Sequence, residues 1–235
     1  MGVRGFAIGA VVLAVVAGGA VVADRTAAAT TRDTIARELT TSFEAVHGRP
    51  DVTIGGFPFL TQLLAGKLSD ITVHVDGLTF DGVAVTDVDV DAVGVTTAEP
   101  YRLDRAVLTA TLPVAALQQL IAAESELDLK LSLDGDQLKA ATKLLGLSLI
   151  ATLVPRVAAD GIRVDVEAVT VGGLAIATAD LPSAISAQLT DVAVPISGLP
   201  AGVAVTGVAV RDGGVRITAT GTGVVLPAAV TRRAP

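Results

Sequence analysis

The chain has 235 residues, of which 51% are hydrophobic but only 3% aromatic and 17% charged, with a net charge of −7 and no cysteine. A binder of phosphate backbones carries a basic patch, so this balance argues against nucleic acid, and equally against docking on anionic headgroups through clustered Lys or Arg. The absence of cysteine excludes a disulfide framework and thiolate chemistry.

Arg4 precedes an uncharged run from Gly5 to Ala23, closed by Asp24 and Arg25. About 19 apolar residues are enough to span a hydrocarbon core as a helix. A basic residue before the run and none within it suits an N-in, C-out orientation. The alternative is a cleavable signal peptide, with Val21-Val22-Ala23 supplying small residues ahead of a cut at Asp24. Residues 1–23 therefore read as a signal anchor or a signal peptide. Either places the remainder on the outer side of the cytoplasmic membrane. Nothing in 24–235 resembles a flexible linker, so it reads as one domain.

From Asp24 to about Val46 the chain reads as a helix, with Ile35, Leu39, Phe43 and Val46 forming one apolar stripe. His47-Gly48-Arg49-Pro50 supplies the stop, glycine as cap and proline beyond it. After Pro50 the period becomes two. Ile71, Val73 and Val75 alternate with Thr72, His74 and Asp76. The same pattern recurs over Ala106–Leu112, Leu127–Leu133, Ile162–Val166 and Val215–Ala219. Such strands are apolar on one face and polar on the other, as in antiparallel sheets with a solvated side. The aliphatic, β-branched composition agrees. Asp76-Gly77, Asp81-Gly82, Asp134-Gly135, Asp160-Gly161 and Asp212-Gly213-Gly214 are turn signals. Between Val83 and Val95 the apolar phase slips, which predicts a bulge. Helices are expected at Pro58–Ala65, Pro113–Ala123 and Leu181–Leu189. The fold class is α+β, a long curved antiparallel sheet with few helices against it.

The most distinctive stretch runs from Gly55 to Leu68. Two glycines release the chain from a strand, Phe57 is extended ahead of proline, a two-turn helix follows and Gly66 closes it. This places an apolar plug at the end of a strand. The string GFPFLTQLLAGKL, followed by ITVHVDGLTF, closely resembles the LmeA-like phospholipid-binding family of actinobacteria. Leu199 to Gly221 (LPAGVAVTGVAVRDGGVRITATG) is similar to that family's closing hairpin, and Asp24-Arg25 to its entry. The likeness covers most of the chain and is weakest over about 113–155. It implies an exported envelope protein with a tubular-lipid-binding-like fold, in which a curved sheet wraps a helix around an apolar channel. It also implies phospholipid binding, with phosphatidylinositol-type lipids among the candidates, and a role in building lipomannan.

On this reading the channel walls are Phe57, Phe59, Leu60, Leu63 and Leu64 of the plug, with Val73, Val75, Leu108, Leu112, Leu129, Leu131, Val164 and Val166 of the strands. Lys67, at the mouth end of the plug helix, is the candidate headgroup contact. No cofactor is expected. Catalysis has little to draw on: His47 and His74 are the only histidines, and no zinc-protease, nucleophile-elbow or phosphate-loop pattern occurs. Asp87, Asp89 and Asp91 share one strand face but lack the Gly and Glu of a calcium loop, so they read as a solvated outer face. The competing reading is a scaffolding envelope domain with a filled core that binds a protein partner.

Overall fold

The computed structural model describes residues 3–80, 82–124, 129–144, 147–158, 161–171, 173–180, 192–195 and 199–226, with the side chains of the first helix described from Gly19 onward. That helix, α1, is a single element from Val3 to Ser42. At 1.5 Å per residue it is about 60 Å long. The uncharged run is its N-terminal half. Among the described residues no helix is long and apolar enough to cross a membrane.

α1 stops four residues before the expected end. Phe43 and Val46 do pack in an apolar cluster, with Val75, Leu78 and Val88, but Val46 reaches it from a short edge strand, β1 (Ala45–His47). β1 pairs antiparallel with Gly77–Thr79. The open backbone groups of that edge are better satisfied by a strand than by another helical turn. Gly48, at φ +75°, turns the chain between β1 and β2 (Asp51–Ile54).

The rest of the larger sheet is built from β3 (Lys67–Phe80), β4 (Val83–Thr96), β5 (Arg102–Pro113), β12 (Val203–Arg211) and β13 (Gly214–Val225). Its order is β1-β3-β4-β5-β13-β12, with β2 beside β1 on the same edge of β3. A short helix, α2 (Phe59–Leu64), links β2 to β3, and α3 (Val114–Glu124) follows β5. The second sheet contains β6 (Lys130–Asp134), β7 (Gln137–Leu144), β8 (Leu147–Ala158), β9 (Gly161–Val171), β10 (Leu174–Ala177) and β11 (Val192–Pro195). Its order is β10-β9-β8-β7-β6, with β11 also on β9. Every pairing in both sheets is antiparallel.

The expected bulge lies in β4, where the register to β5 shifts between Thr86 and Asp89 and Asp87 takes φ +48°. Further shifts occur at Val205/Gly207 and Thr152/Leu153. Bulges of this kind bend strands and increase twist. Two expectations change. Asp76-Gly77 is not a turn: β3 runs straight through it, and the glycine lies opposite His47 where β1 closes on the strand. The one long sheet is two, and neither closes into a barrel around α1. Instead α1 packs on β2 and α2, burying Ala28 with Ile54, Phe59 and Leu68. The helix expected at 181–189 and the start of the strand expected from Leu127 lie outside the described residues.

Candidate functional site: an aliphatic face and its plug

The antiparallel registers align aliphatic side chains in rows across the larger sheet. Val52, Val73, Val90, Leu108, Ala219 and Val205 stand directly opposite one another across β2, β3, β4, β5, β13 and β12. A neighbouring row joins Ile54, Ile71, Ala92, Ala106, Gly221 and Val203. Several of these side chains, including Val73, Val90, Leu108 and Val205, are only half-buried. The reverse face is polar, with His74, Asp89, Thr109 and Thr218 in register.

The second sheet repeats the arrangement on a smaller scale. Leu131, Ala140, Ala151 and Val169 form one row; Leu133, Leu138, Leu153 and Val166 form the next. The two apolar faces meet where Leu138, Val210 and Val215 are buried against Leu117, Leu133, Leu153, Val208 and Ile217. A continuous aliphatic surface therefore runs from the plug end of the first sheet onto the second.

Of the wall residues expected from the sequence, Val73, Leu108, Leu112, Leu129, Leu131 and Val164 are half-buried, while Val75 and Val166 are buried. Gln118 of α3 holds the approach to β6, its amide oxygen accepting from Leu131 N at 2.6 Å and its Nε2 donating to Leu129 O. The plug divides. Phe59 is 2% exposed, but Phe57 is 59% and Leu64 90% exposed, and Leu60 and Leu63 also face outward. Lys67 is engaged: its Nζ lies 2.6 Å from Asp104 Oδ2 on an exposed surface.

Two polar residues that the pattern reading did not single out hold the plug in place. Asp24 of α1 is 4% exposed, and its carboxylate accepts from Phe59 N at 3.0 Å and Leu60 N at 2.7 Å. These are the free amides at the N-terminus of α2, where the capping position is Pro58, which offers no side-chain acceptor. An anion there is favoured by hydrogen bonding and by the helix dipole. Gln62 is the second. Its Nε2 donates to Gly55 O at 3.2 Å and its Oε1 accepts from Ser69 N at 2.7 Å, tying together the two strand ends that flank the helix. Gly56, at φ +79°, keeps that space free, since a Cβ there would lie 2.7 Å from Gln62 Nε2. In the sequence Asp24 was legible as the first charge after the uncharged run and, with Arg25, as part of the likeness to the family's entry, not as a cap for α2.

A cleft of about 480 Å³ lies beside α1, lined by Thr30, Asp33, Ala36, Arg37, Thr40, Arg49 and Pro50, with Arg49 paired to Asp33 at 2.7 Å. Five of its seven lining residues are polar or charged, and none belongs to the aliphatic rows. Among the described residues no cluster of three or more His and acidic side chains could hold a metal ion. Asp89 and Asp91 are instead used on the outer face, Asp89 by His74 at 2.7 Å and Asp91 by Thr72 at 3.0 Å.

The Asp89 hydrogen bond holds His74 above the usual histidine value of 6.5, with the Asp89 and Asp76 charges adding to it and partial desolvation opposing. A raised folded-state value means the stabilisation is complete below about 6.5 and is lost as pH rises through the higher folded value. His74→Gln therefore lowers the melting temperature at pH 5.5–6, and the gap to the parent narrows towards pH 8. Paired thermal melts across that range check this, and a gap independent of pH would contradict it.

The fold and face define an open, double-sheet scaffold with an aliphatic surface suited to binding apolar chains. The sequence profile described as LmeA-like phospholipid-binding matches residues 22–220. The chain belongs to that family, which is a binding family and not a catalytic one. No curated protein and no solved structure matches it.

Proposed function

We propose that this protein is exported to the cell envelope, held at the cytoplasmic membrane by its N-terminal run or released after cleavage, and carries phospholipid acyl chains along its aliphatic face. The observation that carries the proposal is the row of aliphatic residues continuous across six strands, of which Val73, Val90, Leu108 and Val205 are only half-buried. A solid core wants shapes that interlock to high density. Flexible acyl chains need only a smooth wall, and each buried methylene contributes about 0.8 kcal/mol without any headgroup contact. Transfer of lipid between membranes, and service to lipoglycan assembly with lipomannan as the product, are the finer parts of the proposal and follow the family likeness. Native mass spectrometry of the purified chain tests it: co-purified phospholipid, or uptake from vesicles, is expected. Recovery without lipid, together with no uptake, would sink it.

The openness of both sheets favours a second reading, a scaffolding domain whose apolar face meets a protein partner. Filling the face by mutation separates the two.

A further inference from the structure

The plug is built firmly and yet leaves its apolar residues outside. Asp24 and Gln62 fix the backbone of α2 and its flanking strands through four hydrogen bonds. The outward position of Phe57, Leu60, Leu63 and Leu64 is thus a property of the fold and not of a frayed end. Exposed large apolar groups gathered in one place mark a site of contact with something apolar.

The neighbouring helix indicates what that is. Val21 and Val22 of α1 are exposed, Val22 at 66%, and lie within one turn of Asp24, whose carboxylate holds Phe59 and Leu60. Along the helix axis both valines sit at the level of α2, Val21 about 60° round from Asp24 and Val22 on the opposite face. From Val22 the same unbroken helix continues back through the uncharged run to Gly5, a length of about 27 Å at 1.5 Å per residue. Arg25 stands 5.7 Å from the centre of the Phe57 ring. A cation over an aromatic ring, beside exposed leucines and at the end of the sequence's uncharged run, has the composition of a headgroup-level boundary. Behind the plug, Phe59 packs with Ile54, Leu68 and Ile71, and Ile54 and Ile71 begin one of the aliphatic rows.

We propose that the outward face of α2, with Val21 and Val22, inserts shallowly into the phospholipid bilayer and is the end at which lipid passes between membrane and protein. Helices of this kind sit about 5–10 Å deep at the headgroup–acyl boundary. With a net charge of −7, this contact is driven by apolar insertion and not by attraction to anionic lipid. The proposal rests on the membrane-held, lipid-carrying reading above.

The chain has no cysteine, so single labels are unambiguous. Full-length protein carrying Leu64→Cys or, as a control, Leu174→Cys in β10 (68% exposed) is labelled with an environment-sensitive NBD dye. Each is reconstituted with phosphatidylcholine–phosphatidylglycerol vesicles containing nitroxide lipids at shallow or deep positions. The expected result is blue-shifted emission at 64, quenched most by the shallow nitroxide, with water-like emission at 174. Flotation and bound-lipid mass spectrometry are run on the same samples. Protein that floats while position 64 stays as wet as 174 overturns the docking proposal alone. Protein that does not float overturns docking and anchoring together. Shallow quenching at 64 in protein that carries no lipid supports docking and removes the lipid-carrying reading. The unlabelled double variant Leu63→Glu, Leu64→Glu changes only exposed positions and should slow uptake from vesicles on the order of tenfold, since insertion scales with buried apolar area. Unchanged uptake would overturn the role of this end as the lipid entry.

Discussion

Replacing Asp24 with alanine is expected to lower stability by about 2–3 kcal/mol and the melting temperature by roughly 5–10 °C. The carboxylate is buried and accepts two backbone hydrogen bonds across 35 and 36 residues of sequence. Hydrogen bonds to a charged acceptor contribute about 1.5–3 kcal/mol, and buried amides left without a partner cost about 1–3 kcal/mol each. Part of the loss is offset because water can reach Leu60 N, which is only partly buried. Asp24→Asn keeps one carbonyl acceptor and loses the charge, so it should fall between alanine and the parent. Urea unfolding measures the total. Hydrogen exchange at the Phe59 and Leu60 amides shows where it acts, with faster exchange there than in β3 or β4. A change under about 0.5 kcal/mol for alanine, in the range of ordinary surface substitutions, would mean that the packing of Phe59 alone seats α2.

That residue also illustrates what a sequence exposes and what it hides. The strands were legible because their alternation is local: each of Val73, Leu108 and Val166 shares its face with the residues two positions away. The β4 bulge was legible for the same reason, as a break in phase. Rows across strands depend on register, and register depends on pairings between residues far apart, such as Val52 with Val73 or Leu108 with Ala219. No local pattern contains that information, so one sheet was expected where there are two. The end of α1 was misplaced because Phe43 and Val46 fit a helical stripe and an edge strand equally well, and the unpaired backbone of β3 decided between them. The family likeness identified the Gly55–Leu68 segment as important. It did not indicate that Phe59 points in while Leu60, Leu63 and Leu64 point out, which follows from the Asp24 and Gln62 bonds.

The aliphatic face itself is tested by enlarging it. Val90 sits in the middle of the long row, between Val73 and Leu108, and is half-buried. If the space above it belongs to an acyl chain, Val90→Phe fills that space without forcing its neighbours apart, and stability should move by less than about 0.5 kcal/mol. If the face is part of a filled core, the added ring overpacks it and costs about 1–3 kcal/mol. Lipid binding reads the same substitution independently. A ring that displaces three methylenes of one chain removes about 2.4 kcal/mol at 0.8 kcal/mol each, which is a roughly fiftyfold weaker association. Thr109→Val, on the polar face of the neighbouring strand, should leave lipid binding unchanged. Quantitative lipid uptake and urea unfolding on the three proteins give four combinations. Retained stability with lost lipid is the signature of an open lipid face. Lost stability with no lipid in either protein is the signature of a scaffold, because the energetic cost then comes from packing already complete in the free chain.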